Sequence, residues 1–235
     1  MQEQINVVDT EKKLNQTEIV VILDRSGSMS SIAKATVENF NKFLNEQKNA
    51  EGEAFVTLVQ FDDRYELNYK STPIKDVNDL VYGETYQPRG STALHDAIGK
   101  TINELEKTDR DIIMVIITDG EENASREYKG NAIKNIIEQK EKDNWKFVYL
   151  GANQDAISVG GAMGMSDKST LSWATNDNSI GATYAAFSSN IRSYRSAKTA
   201  SLKSMSVGDE INLNAVMDNL KDELNFTDKQ RKESK

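Results

Sequence analysis

Three uninterrupted apolar runs constrain this chain more than any other feature: Ile19-Val20-Val21-Ile22-Leu23, Ile112-Ile113-Met114-Val115-Ile116-Ile117 and Phe147-Val148-Tyr149-Leu150. Each is rich in β-branched or aromatic residues and is stopped by polar residues or glycine. A strand that is apolar at consecutive positions must be covered on both faces, which is the condition of a parallel sheet held between helices. Ala54 to Phe61 reads as a longer strand. Asp62-Asp63 then turns the chain into Tyr65, Leu67 and Tyr69, which alternate with polar residues as an antiparallel edge strand does.

Between these runs the period changes. Ala33, Val37, Phe40 and Leu44 make one stripe of a helix, and Leu94, Ile98, Ile102 and Leu105 repeat it. Ile133, Ile136 and Ile137 mark a shorter helix. A further strand is expected at Thr170–Ala174, with a helix over Ile180–Tyr194. Strand–helix alternation implies right-handed crossovers. The expected fold is therefore α/β: a doubly wound, mostly parallel sheet with one antiparallel edge strand. After Arg195 the composition turns polar. The expected organisation is an N-terminal extension over 1–15, a compact domain over 16–195 and a polar C-terminal tail over 196–235. The tail has room for one amphipathic helix through Leu213, Val216, Met217 and Leu220, and its last ten residues are expected to be mobile.

The formal net charge of −8 argues against non-specific nucleic-acid binding, because there is no cationic surplus to displace counterions. Lys229, Arg231, Lys232 and Lys235 are interleaved with acids, so they read as a solvated tail. With no cysteine, the chain has no disulfide framework, thiolate nucleophile or zinc–cysteine site. The first residues lack the pattern of a signal peptide, and no stretch approaches the roughly 20 apolar residues that span a bilayer. A cytoplasmic address without a membrane partner is the expectation.

Three polar segments fall where a doubly wound sheet places its ligands, beyond the carboxyl ends of its strands. They are Asp24-Arg25-Ser26-Gly27-Ser28 after the first run, Pro88-Arg89-Gly90-Ser91-Thr92 before a helix, and Thr118-Asp119-Gly120 after the second run. They offer oxygen and neither nitrogen nor sulfur from their side-chain ligands, a set suited to a hard cation such as Mg²⁺ or Mn²⁺. Each piece has a plainer reading. Asp-x-Ser-x-Ser occurs by chance, Thr92 could be a helix N-cap, and Asp119-Gly120 could be a turn. Glu121 and Glu122 read as acids on the rim. His95, the one histidine, reads as a residue beside a loop. Gly160-Gly161-Ala162-Met163-Gly164 lacks the Lys-Ser/Thr of a phosphate loop and reads as a helix end.

The run Ile22-Leu23-Asp24-Arg25-Ser26-Gly27-Ser28-Met29 resembles the opening motif of von Willebrand factor A (VWA) domains. Gly90-Ser91-Thr92-Ala93-Leu94 and Ile117-Thr118-Asp119-Gly120 resemble the second and third parts of that family's metal-ion-dependent adhesion site. The resemblance spans about residues 15–195 and is closest to small stand-alone members of bacteria and their phages. It implies a Rossmann-like fold and a metal site of Asp24, Ser26, Ser28, Thr92 and Asp119. In that site Ser26 and Ser28 coordinate directly, Thr92 does so in a ligand-competent state, and the two aspartates act largely through water. Arg25 departs from the apolar residue of many relatives and puts a guanidinium beside the metal loop.

A cation held by hydroxyls stays electron-poor, so an incoming carboxylate completes its shell. The resemblance thus implies a Mg²⁺- or Mn²⁺-dependent, non-catalytic module that docks an Asp or Glu of a protein ligand. Such a contact is strong only where water is excluded, so the carboxylate is expected in a small pocket rimmed by Met29, Arg89 and Glu122. Asp222, Glu223, Asp228 and Glu233 leave self-association open. Two alternatives remain. One is a haloacid-dehalogenase-like phosphotransferase built on Asp24 and Asp119, although Ser26 stands where its acid/base aspartate is expected. The other is a structural phage component with a stabilising metal.

Overall fold

The computed structural model describes residues 15–152, 155–204 and 220–235. Its strands are β1 (Gln16–Asp24), β2 (Glu53–Phe61), β3 (Tyr65–Pro73), β4 (Asp111–Thr118), β5 (Lys146–Ala152) and β6 (Thr170–Trp173). They form one sheet in the order β3-β2-β1-β4-β5-β6. Every neighbouring pair is parallel except β2 and β3, which pair antiparallel at the edge. This is the doubly wound sheet expected from the apolar runs.

The helices are α1 (Ala33–Lys48), α2 (Leu94–Glu104), α3 (Gly130–Lys142), α4 (Ala156–Ala162), α5 (Asp177–Ser204) and α6 (Asp228–Glu233). Side chains of a pleated strand alternate between its faces, and the apolar runs divide accordingly. Ile19, Val21, Leu23, Ile113, Val115, Ile117, Val148 and Leu150 face a core that Phe40, Leu44, Phe187 and Ile191 of α1 and α5 complete. Val20, Ile22, Ile112, Met114, Ile116, Phe147 and Tyr149 face a second core with Leu94, Ile98, Ile102, Ile133 and Ile137 of α2 and α3. Burying each such side chain contributes about 1.5–3 kcal/mol. Among the described residues no helix is long and apolar enough to cross a membrane.

The C-terminal part differs from the reading of a polar tail after residue 195. Helix α5 continues to Ser204, burying Lys198, Thr199 and Leu202. Leu220, Leu224 and Phe226 join the core under α1 and α5. Helix α6 opens with a capping box between Thr227 and Gln230. Its Arg231 donates to the main-chain oxygens of Asp167, Lys168 and Thr170, beside the edge strand β6. Leu220 falls on the expected helical stripe, but Leu224 and Phe226, separated by charges, show too little periodicity to be read as core from sequence. Residues 211–219 of the expected amphipathic helix, and residues 1–14 of the extension, lie outside the described residues.

The amino end of the sheet carries a buried ionic cluster. The Asp111 carboxylate accepts from Lys146 at 2.5 Å, from Lys198 at 2.9 Å and from the Tyr194 hydroxyl at 2.8 Å. Burial pushes its pKa up, but the two lysine charges outweigh burial and hold it below the usual carboxylate value. Lys198 also donates to the Gln16 oxygen, and Arg195 donates to the oxygens of Gln47 and Gly52. Helix α5 thereby ties down the amino ends of β1, β2, β4 and β5.

Candidate metal centre

The strand order reverses between β1 and β4, so the connections leaving their carboxyl ends diverge and open a crevice there. Asp24 is the last residue of β1 and is fully buried. Its Oδ1 accepts from the Ser26 main-chain N–H at 2.6 Å, and its Oδ2 accepts from the Thr118 hydroxyl at 2.5 Å. The Ser26 and Ser28 hydroxyls are 3.0 Å apart, and Ser28 donates to Asp119 Oδ1 at 2.6 Å. Ser26 is extended and Gly27 starts a 3-10 turn, which lets both hydroxyls point into one space.

Main-chain bonds lock the three segments together. Gly27 donates to the Gly90 oxygen at 3.1 Å, and Arg89 donates to the Arg25 oxygen at 2.8 Å. A methyl group on Gly27 would stand 3.3 Å from the Gly90 oxygen, so the close approach favours glycine. The Thr92 N–H donates to the Asn123 side chain at 2.9 Å, while the N–H groups of Asn123 and Ala124 donate to the Thr92 oxygen. Thr92 is not the cap of α2, whose N-cap is Ala93 without a side-chain bond.

Gly120 locates the point at which the segments meet. A methyl group there would stand 2.8 Å from Thr92 Oγ1, 3.4 Å from Ser28 Oγ and 3.6 Å from Asp24 Oδ2. Two hydroxyls and a carboxylate oxygen thus surround one small space, with Ser26 and Asp119 bonded to its wall. Burial raises the Asp24 pKa to about 6 against the opposing bonds from Thr118 and Ser26, and the Asp119 charge adds to the rise. Burial likewise raises Asp119, with the Ser28 bond pulling it back. The largest influences on the two carboxyls are burial, hydroxyl and main-chain hydrogen bonds and, for Asp24, the Asp119 charge. Among the described residues no three His, Cys, Asp or Glu side chains cluster as metal ligands do. The cradle has only two carboxylates, and the rest of its oxygen comes from hydroxyls, a donor set that fits a hard divalent cation.

The model of the von Willebrand factor type A domain matches residues 18–170, well over half of the chain. The protein belongs to the VWA family. Solved structures with this fold include proximal thread matrix protein 1 from the mussel byssus, 14% identical, with a TM-score of 0.57 over 73% of this chain and 45% of that one. Another structure of that protein, with TM-score 0.56 and 14% identity over 72% of this chain and 44% of that one, has a zinc-occupied MIDAS motif. The vWF domain of the pilus tip protein Mfa5 from Porphyromonas gingivalis, 9% identical, aligns with a TM-score of 0.56 over 83% of this chain and 98% of that domain. This chain spans less than half the length of the mussel thread protein. No curated protein matches the sequence. At these identities the structural likeness establishes the fold alone.

Several residues of the VWA crevice have roles that sequence reading did not assign. Glu122, read as a rim acid, accepts from the His95 N–H at 2.8 Å and from Ser125, which in turn accepts from the Asp96 N–H. It satisfies the first turn of α2, where the helix dipole favours an anion. Asp96 accepts from the N–H groups of Arg126, Glu127 and Tyr128; burial opposes its ionisation, but these bonds prevail and lower its pKa. The Tyr86 hydroxyl donates to the Asp24 main-chain oxygen at 2.7 Å. Met29 departs from expectation, and Arg25 has acidic partners of its own. The Arg25 guanidinium pairs with Asp62 at 3.1 Å and Glu66 at 2.7 Å. Met29 is buried in the core, so it does not rim a pocket. His95 lies beside Glu122 and Gly130, and no bond joins it to the cradle among the described residues. Of these bonding roles none was legible in the sequence; Glu122 stood out there only as an acid on the rim.

Proposed function

We propose that this VWA domain holds one Mg²⁺ or Mn²⁺ with Asp24, Ser26, Ser28, Thr92 and Asp119 and uses it to bind a protein ligand through an Asp or Glu. The observation that carries this reading is the space beside Gly120, where Thr92 Oγ1, Ser28 Oγ and Asp24 Oδ2 approach one point. Buried carboxylates without a cation are costly. A divalent ion would supply the missing positive charge and a Lewis-acidic position for one further oxygen ligand. The hydroxyls donate little charge, so such an ion favours an anionic oxygen from outside.

The zinc-occupied MIDAS motif of the mussel thread protein supports a divalent ion in this fold without deciding which ion this chain takes. The phosphotransferase reading gains no support, since Asp24 is engaged by Ser26 and Thr118 and is fully buried. A cytoplasmic location and the absence of catalysis belong to the same proposal.

The test is the affinity of the full chain for short acidic peptides in Mg²⁺ and in EDTA. Binding should require both the ion and the peptide carboxylate, and Asp→Asn in the peptide should abolish it. Equal binding in EDTA would remove the metal from recognition.

A further inference from the structure

Val81, Tyr82 and Ile157 are the large apolar side chains exposed among the described residues. Single exposed apolar residues need no explanation, but an adjacent pair on a well-built turn does. The pair lies in the loop between β3 and α2, which climbs along α1. Lys48 donates to the Val77 oxygen, Asn41 bonds both main-chain groups of Leu80, and the Lys34 ammonium stands 5.8 Å from the centre of the Tyr82 ring. Tyr86 then reaches the Asp24 oxygen. These partners run from the last turn of α1 to its first and on to the end of β1. The loop therefore delivers Tyr82 to the end of the sheet that holds the cradle.

The turn is fixed by its own bonds. The N–H groups of Glu84, Thr85 and Tyr86 all reach the Val81 oxygen, at 3.1, 2.9 and 3.1 Å, and Gly83 donates to the Tyr86 oxygen. Gly83 has a φ of 81°, which its neighbours could not adopt without strain. The Val81 N–H is held by the Thr85 hydroxyl at 2.7 Å. A rigid aromatic surface costs little entropy when a partner covers it, which is why tyrosine is favoured at contact centres.

We infer that Val81 and Tyr82 form a second contact for the protein ligand, taking an apolar side chain of the segment whose carboxylate enters the cradle. This rests on the metal-dependent reading above. The partner is a segment with an Asp or Glu near a Leu, Phe or similar residue. Lys34 beside the ring and a cation in the cradle both favour an acidic segment; Glu84 is the acid exposed on the turn itself.

The experiment uses an array of synthetic peptides, each with one Asp and with either Phe or Ser at varied distance from it. The full chain in Mg²⁺ should favour the Phe series by about tenfold. The Val81→Ser/Tyr82→Ser variant should bind both series equally, at the wild-type level for the Ser series, and remain sensitive to EDTA. Both side chains are exposed, so its melting temperature should match the wild type. Lys34→Glu tests the same patch through charge alone and should weaken binding severalfold. Equal binding of the two series by the wild type, or a preference retained in the variant, overturns the inference while leaving the metal reading intact. Binding that survives EDTA or loss of the peptide Asp sinks the metal reading instead. If the array retains no peptide, both fall.

Discussion

Asp24 ends β1 and Asp111 begins the neighbouring β4, so the two buried aspartates lie at opposite ends of one sheet. Asp111 meets two lysines and a tyrosine, and its carboxyl is held below the usual range. Asp24 meets hydroxyls, an amide N–H and a second carboxylate, and its carboxyl is raised to about 6. The same residue type is thus electrically complete at one end and incomplete at the other. A complete buried pair is a structural clamp, whereas uncompensated buried acids, ringed by hydroxyls, leave a place for a cation.

The two aspartates differ most in what their removal should cost. Asp111→Ala leaves Lys146 and Lys198 buried without their shared carboxylate, so stability should fall by about 3–5 kcal/mol in urea unfolding. Asp24→Asn in EDTA should cost much less, because burial already disfavours the charge that it removes. A loss as large as that of Asp111→Ala would place both aspartates in the same structural class.

A smaller effect comes from the cation. With Mg²⁺ at about 100 times its dissociation constant, stability should rise by about 2.7 kcal/mol over the EDTA value. Thermal melting of the wild type should show the rise, and Asp24→Asn should not.

The two ends should also respond oppositely to pH. The folded pKa of Asp111 is lowered, so its contribution is present above the unfolded value and is lost as pH falls through the folded one. Asp24 in the metal-free protein is raised from 3.8 to about 6, so its contribution is full below 3.8 and is lost as pH climbs through 6. Relative to the wild type in EDTA, Asp24→Asn should therefore gain stability between those values, and Asp111→Asn should lose its part of the acid sensitivity. The same sign of change in both variants would contradict the assignment. Smallest of all, Thr92→Ala should leave EDTA stability within about 1 kcal/mol of wild type, yet weaken Mg²⁺-dependent peptide binding.

The two ends were also unequally legible in the sequence. The sheet could be read because Ile19–Leu23 and Ile112–Ile117 are apolar on both faces, a pattern that few architectures satisfy. The five cradle residues could be read because they follow directly on strand ends or precede a helix, so local sequence carries their geometry. The clamp could not: Lys198 sits in a Ser/Lys-rich stretch and meets Asp111 across 87 positions. Glu122 and Asp96 were equally hidden, since each works by accepting main-chain N–H groups from another segment. Leu224 and Phe226 were lost among charges, Leu220 was legible only as part of a helical stripe, and tertiary packing identifies all three as core.

Whether the space beside Gly120 holds a cation can be read from calorimetric titration of Mg²⁺ into the wild type and into Gly120→Ala. The added methyl would enter the cradle 2.8 Å from Thr92 Oγ1, a contact from which the Thr92 hydroxyl must turn away, although none of the five oxygen-bearing residues is itself replaced. The wild type should bind one Mg²⁺ per chain, with binding lost or severely weakened in Gly120→Ala although its EDTA melting is little changed. No binding to the wild type, or undiminished binding to Gly120→Ala, would contradict it.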